Sequence, residues 1–275
     1  MASHVERILI LAKTYPSPSA QYVETSCVAG INEHGVMRRL FPVPFRLVER
    51  DQQFKKWQWV NVRVAKASND HRIESHKIYV DTIQCGDAID TRKQWAARWP
   101  WIEKIPTFSN FDDLEASRLA DGTTLALVRP KAVLGLEIEK ARNADWTDDE
   151  KEKLLREQMQ GDLFSEAEVR KEIRELKKIP FDFYYRYLCD TPDGEKTFTH
   201  KIVDWEAGAL YWKCRTSHGA GWDVPFRQMY GEKLLQSDLM LMMGNIHRFP
   251  HQWLIISVLY PPKRPPVEDR QGRLF

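Results

Sequence analysis

His200, Asp204 and Glu206 fall within seven residues of one another, where strand-like sequence gives way to helical sequence. Side chains two apart on a strand point the same way, so His200, Ile202 and Asp204 share a face. Glu206 lies in the first turn of the helix that follows and turns back toward them. One imidazole and two carboxylates are a set that holds a divalent metal or divides acid and base work. The same residues have a plainer reading: Asp204 is a good N-cap, Glu206 suits the positive end of a helix, and His200 is a surface histidine. His247 and His251, on a hairpin loop expected to face this junction, are candidates to join the set.

A second constellation is basic and aromatic. Arg38, Arg39, Arg46, Lys55 and Lys56 surround Trp57 and Trp59 in the sequence. Cations meet phosphates and indoles stack on exposed bases, so the segment suits DNA or RNA. Its alternative is a solvated strand edge with the tryptophans buried. His71, Arg72, Glu74 and His76 make a polar patch between strands, and Tyr15, Ser17 and Ser19 sit in a stiff proline-flanked loop. No glycine-rich phosphate loop, Gly-x-Ser-x-Gly or His-Glu-x-x-His occurs, which leaves an ATPase, an α/β-hydrolase and a zincin without support.

The elements that must position these residues read as an α+β protein. Residues 1–145 are β-rich, a curled sheet or small barrel of the PUA or OB type. Its signals are the apolar run Ile8-Leu9-Ile10-Leu11-Ala12, a hairpin around Asn32-Glu33-His34-Gly35, and alternation from Trp59 to Ala65. Arg92 to Glu103 reads as a helix interrupted near Pro100. Leu125–Val128 and Val133–Ile138 read as further strands of this unit. Residues 146–179 are a charged helical insert, with a capping box at Thr147 and Glu150 and another at Ser165 and Glu168. Residues 180–263 form a β-β-α-α-β-β unit, with Asp204 and Asp223 as helix caps and Pro192-Asp193-Gly194 as a turn. Residues 264–275 are a flexible tail. No internal repeat is legible.

Composition bounds the function. The chain has 275 residues, 43% hydrophobic and 29% charged, with a net charge of +2. A nucleic-acid face must therefore come from local clustering, not bulk charge. Cys27, Cys85, Cys189 and Cys214 stand far apart, which excludes a four-cysteine zinc site by spacing. No secretory signal and no apolar run of membrane length is seen, so reduced thiols and a cytoplasmic location without membrane partners are expected.

Two stretches carry a resemblance. One is Arg39-Leu40-Phe41-Pro42-Val43-Pro44-Phe45-Arg46 followed by Gln53-Phe54-Lys55-Lys56-Trp57. The other is His200-Lys201-Ile202-Val203-Asp204-Trp205-Glu206, followed by Gly244-Asn245-Ile246-His247 and Tyr260-Pro261-Pro262-Lys263. Together they resemble an uncharacterised bacterial family associated with mobile elements and defence islands. The resemblance implies that context, and other defence-system proteins as partners. Relatives carry two cysteines and a histidine in the first hairpin of the second unit; here only Cys189 and His200 match, which puts a structural zinc in doubt.

The end of the chain carries another. Gln271-Gly272-Arg273-Leu274-Phe275 follows the proline-rich Pro261-Pro262-Lys263-Arg264-Pro265-Pro266. It resembles the Gln-x-x-Leu-Phe peptide by which bacterial DNA-processing proteins hold the sliding clamp, with Gln271, Leu274 and Phe275 as contacts. An internal copy at Gln160-Gly161-Asp162-Leu163-Phe164 reads instead as a hydrophobic staple before Ser165. The expected function is nucleic-acid binding in a bacterial defence or mobile-element system. The alternatives are an enzyme acting on nucleic acid, a nuclease or base-modifying enzyme using His200, Asp204 and Glu206, and a protein-binding adaptor.

Overall fold

The apolar run Ile8-Leu9-Ile10-Leu11-Ala12 is buried on both of its faces. A strand with one wet face alternates apolar and polar residues; a continuous run is what a strand between two cores needs. In a computed structural model, which describes residues 2–18, 24–46, 48–148 and 177–263, this run is the centre of β1 (His4–Lys13). Most of the expected insert, the peptide copy at 160–164 and the tail from residue 264 lie outside the described residues.

β1 pairs antiparallel with both β3 (Glu24–Asn32) and β5 (Gln58–Lys66). β3 continues to β4 (Met37–Val43) through the expected hairpin, where the Asn32 side chain accepts from the amides of His34 and Val36, and Gly35 takes φ +83°. β4 runs parallel to β6 (Ser75–Ile78), which pairs with β5 and closes a five-stranded barrel. β2 (Ser17–Pro18) and β7 (Gln84–Ala88) add to β3 and β5. Ile8, Ile10, Val28, Leu40 and Val62 fill the interior. The strands approach closely at Gly30, where a Cβ would stand 2.4 Å from the Leu9 carbonyl oxygen.

The second sheet begins with β8 (Thr107–Phe108), then α1 (Phe111–Asp121), β9 (Leu125–Val128) and β10 (Ala132–Lys140). β11 (Phe181–Thr191), β12 (Gly194–Ile202), α2 (Trp205–His218), α3 (Asp223–Arg227), β13 (Met240–Ile246) and β14 (Phe249–Leu259) follow. The expected β-β-α-α-β-β unit is present. It recruits strands expected elsewhere: β9 pairs with β13 and β10 with β11. The first barrel is already closed by the β1–β5 pairing and offers β9 and β10 no edge. The β-rich N-terminal unit thus ends near residue 104 instead of 145. β9 and β10 are one stretch of chain broken only at Arg129-Pro130-Lys131, so the sheet curls until that stretch pairs with both β11 and β13, and β8 adds beyond β9.

Counted within each unit, the order of pairing is the same. The first strand pairs with the second and the fourth, and the third runs parallel to the fifth, as β4 with β6 and β12 with β14. That is the Greek-key order of the OB fold, occurring twice. The barrels share a third core. Leu9, Leu11, Trp57 and Trp59 of the first meet Leu127, Met240, Met242 and Ile256 of the second. The alternation of β1 explains it: Ile8 and Ile10 fill the barrel and Leu9 and Leu11 fill the joint, where the bulge after Ile10 also places Ala12.

The segment expected as a helix interrupted near Pro100 is two helical turns, Arg92–Trp95 and Trp99–Ile102, with the break just before Trp99. Lys93, Gln94 and Trp95 take positive φ, which sets the Trp95 ring 5.7 Å from that of Trp57. Among the described residues no helix is long and apolar enough to cross a membrane.

Candidate nucleic-acid interface

The structure separates His200 from Asp204 and Glu206. Asp204 is the N-cap of α2: one carboxylate oxygen accepts from the Glu206 amide at 3.1 Å, the other from the Val258 amide at 3.2 Å. It is 2% exposed, and burial pushes its carboxyl up to about 6 against the pull of the Lys56 ammonium 4.0 Å away. Lys56 also reaches the half-exposed Glu206 at 3.2 Å and donates to the Val258 carbonyl at 2.8 Å. It therefore ties the first barrel to the cap of a helix in the second. Beside it, the Lys13 ammonium lies 3.2 Å from the Phe45 ring centre and 4.3 Å from that of Trp205. Burial pushes Lys13 down to about 7, while Glu206, Asp204 and the ring faces favour its charged form.

His200 is elsewhere. It lies on β12 with Ile202, facing the second barrel's core; its Nδ1 is 2.9 Å from the Tyr187 hydroxyl, and its ring is 4.4 Å from that of Phe111. Burial lowers it to about 4, a neutral ring in an aromatic wall. The expected convergence of His200, Asp204 and Glu206 is thus corrected: Asp204 lies past the end of the strand, where the chain has already turned to start α2. Among the described residues no three His, Cys, Asp or Glu side chains are grouped to hold a metal. Cys189 is buried, and burial pushes its thiol up to about 11.

The basic and aromatic segment is mostly interior. Trp57 and Trp59 are 2% and 7% exposed and pack edge-on against Trp95 and Trp101 in the joint between barrels. Arg38 pairs with Glu6 at 2.8 Å. Arg39 is 3% exposed and donates to the Thr124 carbonyl at 2.9 Å, with Glu74 3.9 Å away. Lys56 serves Asp204 and Glu206. Lys55 is exposed and Arg46 half-buried. The expected stacking platform is corrected for a physical reason: the alternation of β5 sends Val60, Val62 and Val64 inside the barrel, which leaves Trp59 on the face that the second barrel covers.

A different surface gathers the polar patch. Each barrel has a loop from its fourth to its fifth strand. Here the two loops, at 67–74 and 247–248, meet. Arg72 donates to the Asn245 carbonyl at 2.9 Å, and the rings of His71 and His247 are 5.5 Å apart. Burial alone would raise the Asp70 carboxyl, but hydrogen bonds from Arg72 and Ser75 hold it well below the usual range. His247 Nε2 stands 3.8 Å from the same carboxylate. Outside this polar base, His71, Ile73, His247, Arg248, Phe249 and His251 are exposed. His247 thus faces the first barrel's loop, not His200, and His251 lies near Glu115 of α1. The sequence signal was weak: single imidazoles in two loops, with nothing to say that the loops touch.

Residues 107–275 match the model described as domain of unknown function DUF8757, and the chain belongs to that family. Residues 4–104 match domain of unknown function DUF8758. The two matches meet where one barrel ends and the next begins. No curated protein matches the chain.

Proposed function

We propose that the protein binds nucleic acid where the fourth-to-fifth-strand loops of its two barrels meet, as part of a bacterial defence or mobile-element system. The observation that carries this reading is the junction itself. It joins the loops that OB barrels use for oligonucleotides, and it presents Arg248, Phe249 and the imidazoles of His71 and His247 to solvent. A guanidinium contacts a phosphate and flat rings contact bases. The polar base beneath, Arg72 with Asp70 and Asn245, fixes the loops so that little order is lost on binding.

Arg248→Glu tests it. The position is exposed, so folding is retained. Affinity for labelled oligonucleotides, read by fluorescence anisotropy, is expected to fall similarly for all sequences, with a salt slope smaller by roughly 0.7 for a single strand. Unchanged affinity and slope in this variant, beside a loss in Lys55→Glu, would move the interface away from the junction.

Gln271, Leu274 and Phe275 supply a second contact, with the sliding clamp. The favouring observation is in the sequence: the peptide follows the proline-rich stretch that begins at Pro261, whose carbonyl accepts from the Asp238 amide at 2.9 Å. Deleting residues 271–275 is expected to abolish co-elution with the clamp and leave the melting temperature unchanged. A fall of several degrees on deletion would mean that these residues belong to the fold.

A further inference from the structure

We infer that the junction takes an unpaired strand held chiefly by stacking on Phe249, His71 and His247, and not a duplex held by charge; this rests on the reading of the junction as the nucleic-acid site. The first observation is the shortage of available cations. Arg72 forks onto Asp70 through its Nε and Nη2 and bonds Asn245 through its Nη1. Lys66 donates its ammonium protons to the carbonyls of Arg72 and Ile73. Among the described residues that leaves Arg248 as the readily available cation of the loop pair, and one or two phosphates as the electrostatic reach of the site. Duplex binders that rely on charge neutralise many more, on the order of 6–10.

The second observation is the apolar and aromatic character of the loop tips. Phe249 is 51% exposed at the start of β14 and Ile73 is 69% exposed on the facing loop. The rings of His71 and His247 are tilted 53° to each other, so they do not stack on one another. A ring gains from a base only when it can lie on the base's face, and in a duplex those faces are covered by neighbouring pairs.

The third is the loss of the usual platform. The outer face of the first barrel's second and third strands, carrying Ala29, Ile31 and Met37, is closed by the joint between barrels. A strand at this site must cross the loops and not lie along the sheet.

The experiment is anisotropy of the full chain with labelled dT12, U12 and a 12-base-pair duplex, at 50 and 200 mM salt. Wild type and Phe249→Ala, Phe249→Tyr and His71→Ala variants are compared. The expected result is binding of a single strand, with the dT12 and U12 arms deciding between DNA and RNA. Affinity should fall only about three- to sevenfold over that salt range, from a slope near −0.7 per phosphate for one or two phosphates. Phe249→Ala should lose roughly 5- to 150-fold, the effect of one stacked base, and Phe249→Tyr should keep most of the affinity. Duplex bound as tightly as strand, or a loss of several hundredfold or more with salt, overturns this inference and leaves nucleic-acid binding standing. Strand binding that ignores Phe249→Ala and His71→Ala overturns the stacking site. No binding of any of the three overturns both readings.

Discussion

Asp204→Ala is expected to lower folding stability by about 3–5 kcal/mol, the range seen when one partner of a buried ion pair is removed. Three losses combine. The cap of α2 goes, at about 1 kcal/mol. The Val258 amide loses its acceptor in a place where water does not reach, at roughly 1–3 kcal/mol. Lys56, whose side chain is 12% exposed, keeps Glu206 and the Val258 carbonyl but loses its buried counter-charge. Urea unfolding with an unchanged m-value measures the sum. Asp204→Asn is the informative companion. It still accepts from the Glu206 amide, but its amide nitrogen turns a donor toward the Val258 N–H, so it falls between wild type and alanine.

The pH dependence separates charge from geometry. The Asp204 carboxyl titrates near 6 in the folded protein, above its ordinary 3.8, because burial disfavours the ionised form. A raised pKa means that the folded state binds the proton more tightly. The contribution is therefore fully present below about pH 4 and is lost as pH rises through about 6. Over that window wild type should lose stability relative to Asp204→Asn, on the order of 2 kcal/mol. Stability curves of the two proteins that stay parallel from pH 4 to 7 would show the carboxylate to be ionised at no cost.

Arg39→Met is the second large effect, and it falls on stability, not on nucleic-acid affinity. The guanidinium lies between the barrels, on the Thr124 carbonyl and near Glu74, whose carboxylate also accepts from the Thr124 hydroxyl. Methionine fills similar space but strands the Glu74 carboxylate, at about 3–5 kcal/mol. Adding Glu74→Gln neutralises that charge and should recover part of the loss, a coupling that a double-mutant cycle reads directly. The folded fraction should bind oligonucleotide as wild type does. A stable Arg39→Met protein with lost nucleic-acid binding would return Arg39 to the exposed face that its sequence neighbours suggested.

Local chemistry was legible in the sequence because it is decided by neighbours. The turn at Asn32 to Gly35 follows from a side chain that caps its own loop and a glycine that accepts positive φ. The cap at Asp204 follows from the short carboxylate before a helix. The β-rich first unit, the β-β-α-α-β-β order and the α+β class follow from periodicity over windows of a few residues. What the tertiary structure decided are the pairings between distant residues. Lys56 and Glu206 lie 150 positions apart, Arg39 and Thr124 85, and Arg72 and Asn245 173. Whether a lysine faces a phosphate or a carboxylate depends on which strand edge is already taken. Closure of the first barrel by β1 and β5 sent β9 and β10 to the second, hid both tryptophans and brought two loops together. The sequence shows no repeat because the recurring OB order lies in strand connectivity, which many different side chains satisfy. Periodicity can say that a residue is on a face, but only the closed barrels say what that face meets.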